Sequence, residues 1–161
     1  MAFESYHAIK KKIKGKYGVC AVKLDMHKAY DRVEWVFLEK VLLHLGFSVA
    51  WVTLIMECVR SVKYQVRVNN SLSDYFVPTR GLRQGDPLSP YLFLLCAEGL
   101  SSLLMHEEEN GNLLGVKVCR DAPAVSHLLF DDDSLVLMRA DATNAASLHR
   151  TLDDYCAASS Q

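Results

Sequence analysis

Residues 126–138 read Ser-His-Leu-Leu-Phe-Asp-Asp-Asp-Ser-Leu-Val-Leu-Met, three consecutive carboxylates set between two short apolar runs. Runs of this kind suit strands, and a polar joint suits a tight connection, so Ser126–Phe130 and Ser134–Met138 are predicted to form a hairpin with carboxylates at its tip. Like charges about 4 Å apart repel by roughly 1 kcal/mol in water and by about 4 kcal/mol at an effective dielectric of 20, so a cation is expected to compensate them. Apart from His127 the donors nearby are oxygens alone, which favours a hard ion such as Mg²⁺ over zinc. Taken alone, the segment reads equally well as a solvated acidic turn.

Asp25 shifts that balance. It ends a second apolar and β-branched run, Val19–Leu24. A carboxylate at the end of one strand can lie beside a hairpin of the same sheet and complete a shared site. Three carboxylates then suit two Mg²⁺ ions about 3.5–4 Å apart, the arrangement for in-line displacement at phosphorus. Nucleotidyl transfer and nuclease chemistry both use such a set.

The rest of the chain gives this site a frame. Glu34–Leu45 has helical spacing, with Trp35, Leu38, Leu42 and Leu45 on one face and Gly46 as the C-cap candidate. Ala50–Val59 is predicted to be a second helix. Tyr64, Val66 and Val68 alternate with polar residues, and the pattern runs through Asn70-Ser71 into Tyr75–Val77, a β-hairpin. Leu88–His106 is expected to be a buried helix with Pro87 and Pro90 at its start. Asp141 or Thr143 caps a last helix reaching about Ala157. Residues 2–14 also read as helical, ending among Lys10, Lys11, Lys12, Lys14 and Lys16, favourable at a helix C-terminus.

The 161 residues, half of them hydrophobic, suffice for one ordinary domain, and no repeat or linker divides them. Lys plus Arg number 18 against 19 Asp plus Glu, so any nucleic-acid binding must come from a local patch. The five cysteines, Cys20, Cys58, Cys96, Cys119 and Cys156, have no zinc-ligand spacing and read as small buried residues of a reducing compartment. No secretory signal or membrane span is evident. The expectation is an intracellular protein without a membrane partner.

Three stretches carry a resemblance. Lys23-Leu24-Asp25-Met26-His27-Lys28-Ala29-Tyr30-Asp31-Arg32-Val33-Glu34-Trp35, then Gly81-Leu82-Arg83-Gln84-Gly85-Asp86-Pro87-Leu88-Ser89-Pro90, then Leu129-Phe130-Asp131-Asp132-Asp133-Ser134-Leu135 closely resemble the three central motifs of reverse transcriptases. The resemblance is strongest to LINE-type, non-LTR retrotransposons, particularly those of plants, and covers nearly the whole chain. It implies an α+β fold, a polymerase palm-type antiparallel sheet backed by helices with part of the fingers. It implies an RNA-directed DNA polymerase using an RNA template, a DNA primer, dNTPs and two Mg²⁺ ions, with Mn²⁺ as a substitute. Asp25, Asp132 and Asp133 match the family's catalytic metal ligands. Tyr30 matches an aromatic steric gate against the ribonucleotide 2′-hydroxyl, with a core aromatic as the plainer role. Gln84 and Gly85 match the loop along the incoming nucleotide and template base, where Gly permits close approach. Arg83 is placed to approach phosphate or simply to sit on the surface. Asp31, Arg32 and Glu34 read as a local ion-pair and helix-start cluster, and Trp35 and Phe37 as core.

Some positions depart from the family's wording. Asp131 stands where a small or apolar residue is usual, and strand alternation expects it to point away from Asp132, toward an apolar side where an unpaired carboxylate is disfavoured. His27 replaces a usual Ser, and Ser160 a usual Gly. Residues 1–161 are read as a partial domain, with the amino-terminal fingers, primer grip and thumb lying in a longer polyprotein and the isolated chain expected to have little activity. An RNA-dependent RNA polymerase or intron maturase is the enzymatic alternative, and a non-catalytic retrotransposon remnant with at most metal or weak nucleic-acid binding the other. By family analogy the place of action is nuclear.

Overall fold

A computed structural model describes residues 18–117, 119, 121–130 and 133–160. The lysine-rich segment before Gly18, Asp131 and Asp132 therefore lie outside the described residues. In chain order the elements are β1 (Val19–Asp25), α1 (Ala29–Arg32), α2 (Trp35–His44), α3 (Val49–Arg60), β2 (Arg67–Val68), β3 (Ser71–Leu72), α4 (Ser89–Glu109), β4 (Val116–Lys117), β5 (Ala124–Val125), β6 (His127–Phe130), β7 (Asp133–Arg139) and α5 (Ala142–Ser159). The architecture is the α+β mixture of helices and antiparallel sheet that the motifs imply. Contacts divide it into two compact units, one of residues up to His27 with Ala97–Ala157, the other of Lys28–Cys96 with the last residues from Ala158.

The first unit is built on a three-stranded antiparallel sheet in the order β1-β7-β6. β7 is central, so its successive residues Val136, Leu137 and Met138 are all buried, as a strand covered on both faces requires. β1 is an edge strand whose Ala21, Lys23 and Asp25 alternate outward, exposed. Leu100 and Leu104 of α4 and Leu148 and Tyr155 of α5 are buried with it. Asp141, not Thr143, caps α5: its Oδ1 accepts from the Asn144 N–H at 2.9 Å and from Asn144 Nδ2 at 2.8 Å. Asn144, itself 1% exposed, accepts in turn from the Leu114 N–H at 2.6 Å. The small β4–β5 hairpin was not foreseen.

In the second unit Leu38 and Leu42 of α2 are fully buried, but Leu45, expected on the same face, is 42% exposed because the helix ends at His44. Gly46 follows at φ +88°, the left-handed exit its lack of a side chain allows. α3 starts at Val49, where the Ser48 hydroxyl accepts from the Trp51 N–H. The hairpin β2–β3 turns on Asn69 (φ 47°) and Asn70 (φ 65°), two successive left-handed residues as a type I′ turn demands. Val66 and Ser73 keep this register, whereas Tyr64 pairs with Phe76, so one extra residue bulges on the return side.

Two expectations are corrected. Of the cysteines only Cys96 is buried, and burial pushes its thiol up to about 12, whereas Cys58, Cys119 and Cys156 are exposed and Cys20 is intermediate. The helix α4 is buried along one stripe, Leu92, Phe93, Cys96, Ala97, Leu100 and Leu104, while Leu94 and Met105 face outward, so it is amphipathic rather than wholly internal. Among the described residues no helix is long and apolar enough to cross a membrane.

Candidate active site

The β1–β7 ladder runs Val19↔Arg139 through Asp25↔Asp133, so the two carboxylates end and begin their strands directly opposite one another. Just beyond the other end of that ladder, the Ala140 N–H donates to the Gly18 carbonyl at 2.9 Å. Antiparallel pairs alternate between hydrogen-bonded and non-hydrogen-bonded, and Asp25↔Asp133, an odd number of steps from Gly18↔Ala140, is therefore a non-hydrogen-bonded pair. Such pairs bring opposed side chains closest, with Cα atoms about 4.5 Å apart. Lys23 lies two residues back on the same face, and its Nζ is 2.9 Å from Asp133 Oδ1. On β6 the residue facing Asp133 is Phe130, 82% exposed.

His127 belongs to the opposite face, since it opposes Val136 in the ladder. Its Nε2 is 2.9 Å from the Ser101 hydroxyl and its Nδ1 2.9 Å from that of Ser126, and burial lowers its pKa. The one nitrogen donor near the acidic tip in sequence is thus turned away from the carboxylates. What remains there is an exposed, oxygen-only donor set, which fits a hard divalent ion. Among the described residues no third His, Cys, Asp or Glu completes a metal cluster. Asp132, the third expected ligand, and Asp131, expected on the apolar side, lie outside the described residues.

The residues expected to meet substrate, Tyr30, Arg83, Gln84 and Gly85, all belong to the second unit. Tyr30, half-buried in α1, stacks on the buried ring of Phe93 with centroids 4.9 Å apart and planes 19° from parallel. Its carbonyl accepts from the Leu82 N–H at 2.8 Å, and that of Val33 from the Gly81 N–H at 2.8 Å. The Trp35 indole N–H donates to the Gly81 carbonyl at 2.8 Å, so Trp35 is a tie rather than only core. These bonds strap residues 81–82 to the α1–α2 connection and place the next three residues.

Arg83, Gln84 and Gly85 follow the strap, all exposed, with Gln84-Gly85 in a turn. Arg83 and Gln84, with Asp31, Trp35 and Arg80, line a cleft of about 550 Å³. Gly85 has φ +83° with open space where a Cβ would stand. Gly81 has φ +89°, and a Cβ there would lie 2.8 Å from the Asp31 carbonyl oxygen, a close backbone approach within the chain. Sequence reasoning passed over Gly81, although its place inside the second motif was a signal. The expected cluster of Asp31, Arg32 and Glu34 is also redrawn, because Glu34 makes no capping bond and pairs with Arg80 at 3.4 Å.

The class is an α+β fold whose antiparallel sheet opposes two carboxylates at one end of its ladder. The family is given by comparison: residues 1–160 match the model described as reverse transcriptase (RNA-dependent DNA polymerase), and the chain belongs to that family. It is 33% identical over 86% of its length to a retrovirus-related Pol polyprotein from the type-1 retrotransposable element R2 of Nasonia vitripennis, of which it spans 12%. It is 51% identical over 42% of its length to an uncharacterized mitochondrial protein of Arabidopsis thaliana, of which the match spans 55%. The chain thus covers only part of the relatives it matches. Its fold is similar to that of telomerase from Candida tropicalis, solved in complex with a TWJ fragment of telomeric RNA, with a TM-score of 0.65 at 14% identity over 98% of this chain and 26% of that one.

Proposed function

We propose that this chain is the catalytic core, palm with part of the fingers, of an RNA-directed DNA polymerase of a non-LTR retrotransposon, working within a longer polyprotein. The observation that carries the reading is the register that opposes Asp25 to Asp133 in a non-hydrogen-bonded pair. Asp25, Asp132 and Asp133 would hold two divalent ions, Mg²⁺ or Mn²⁺. Those ions, when bound, activate a primer 3′-hydroxyl and neutralise charge on the departing pyrophosphate. Tyr30, its ring braced by Phe93, excludes the ribose 2′-hydroxyl and so selects dNTPs. Gln84 and Gly85 lie along the nucleotide and template base, and Arg83 approaches phosphate. The RNA template and DNA primer are gripped jointly with the rest of the polyprotein, so the isolated chain extends primers poorly.

The test is a graft of residues 19–139 into a complete R2-type polymerase, assayed by primer extension on an RNA template. The Asp25→Asn graft is expected to lose roughly 10²–10³-fold or more, the size seen when a preorganised transition-state contact is removed. Equal extension by both grafts would overturn the reading. A Tyr30→Ala graft is expected to admit rNTPs. Asp131 favours a second reading, a decayed copy with weakened chemistry, in which the Asp131→Ala graft outperforms the parent. Equal activity of those two grafts removes that reading.

A further inference from the structure

We infer that Lys23 is a resident counter-ion of the carboxylate pair, which a divalent cation must displace to bind and which therefore weakens the site's affinity for that cation. The inference rests on the reading of Asp25 and Asp133 as metal ligands.

The geometry is specific. Lys23 opposes Leu135, so Asp133 is its diagonal cross-strand neighbour, at a spacing that suits only a long side chain. Its ammonium nonetheless reaches Asp133 Oδ1 at 2.9 Å. Two carboxylates opposed at the closest cross-strand spacing repel, and the lysine charge makes the pair tolerable before any metal arrives. A metal at roughly 2.1 Å from a carboxylate oxygen competes with the ammonium for that oxygen's charge, and the two cations repel each other. Entry of the ion therefore swings Lys23 away.

The swing is easy. β1 is an edge strand, and the Lys23 side chain is 66% exposed, so the ammonium is readily solvated once released. Exposure also bounds the effect, because ion pairs in water are weak and salt-screened. The same lysine thus stabilises the empty site and opposes the filled one, a sign pattern that a purely structural residue does not give.

Mn²⁺ binding to the 161-residue chain, followed through the spin resonance of the unbound ion, tests this. Lys23→Gln is expected to bind Mn²⁺ roughly three- to tenfold tighter than wild type at low ionic strength, with the gap closing at high KCl. Lys23→Arg keeps the charge and stays near wild type. Without metal, Lys23→Gln melts at a lower temperature than wild type, and Mn²⁺ raises its midpoint by more. Equal or weaker Mn²⁺ binding by Lys23→Gln overturns the inference while leaving the metal site standing. Wild-type binding that Asp25→Asn and Asp133→Asn both leave unchanged, or no binding at all, sinks the metal reading itself and the inference with it.

Discussion

The two compact units hold their candidate functional residues by different means. In the first, Asp25, Lys23 and Asp133 are placed by a seven-pair strand register, and each backbone position is secured by its neighbours along the ladder. In the second, Tyr30, Arg83, Gln84 and Gly85 hang on short segments shaped by left-handed residues at Lys28 (φ 54°), Gly81 (φ 89°) and Gly85 (φ 83°) and by a few single bonds. A ladder fixes charges redundantly, so the first site is vulnerable chiefly in its electrostatics. A strap fixes them through individual residues, so the second is vulnerable in its backbone.

Gly81→Ala is the sharpest way to break that comparison. Both the positive φ and the 2.8 Å approach to the Asp31 carbonyl oppose a Cβ, so a loss of about 2–4 kcal/mol in urea unfolding is expected. A change below about 0.5 kcal/mol would show that the strap yields easily. In the first unit Asn144→Ala should cost about 1–3 kcal/mol, because it leaves the Leu114 N–H without its acceptor and strips Asp141 of a donor. An unchanged denaturation midpoint would refute that tie. Gly85→Ala meets open space and carries only the conformational penalty, about 1 kcal/mol, so it should fall well short of Gly81→Ala.

The smallest effect concerns pH. Hydrogen bonds from Asn144, then the Arg139 side chain beside it, hold the Asp141 carboxyl well below the usual carboxylate range. The folded value lies below the unfolded one of about 3.9, so this contribution is present above that pH and is lost as pH falls toward the folded value. Asp141→Asn should therefore flatten part of the acid limb of a stability–pH curve, and identical limbs for the two proteins would exclude the linkage.

Much of the fold was legible because the signals were local. Alternation in Tyr64–Val68, the Leu38/Leu42 spacing and the apolar arms around the aspartates each specify an element within a few residues, although the hairpin turn, expected at Asn70-Ser71, falls one residue earlier on Asn69-Asn70. Other features were not. Leu45 falls outside the buried face because its helix stops a residue earlier. The division into two units leaves no linker in the composition because one boundary crosses α4 between Cys96 and Ala97. Cys58, Cys119 and Cys156 match Cys96 in type, and only their surroundings distinguish them.

By itself the sequence determined which residue types could do the chemistry and the family that uses them, since the three motifs are contiguous strings. The tertiary structure alone decided which carboxylate meets which. Asp25 and Asp133 are 108 residues apart, and a one-step slip in the β1–β7 register would send one of them to the other face of the sheet. It also decided that Lys23 reaches Asp133 and that Gly81 lies close against the Asp31 backbone. Register and loop conformation are settled by packing between distant segments, which no single stretch of sequence contains.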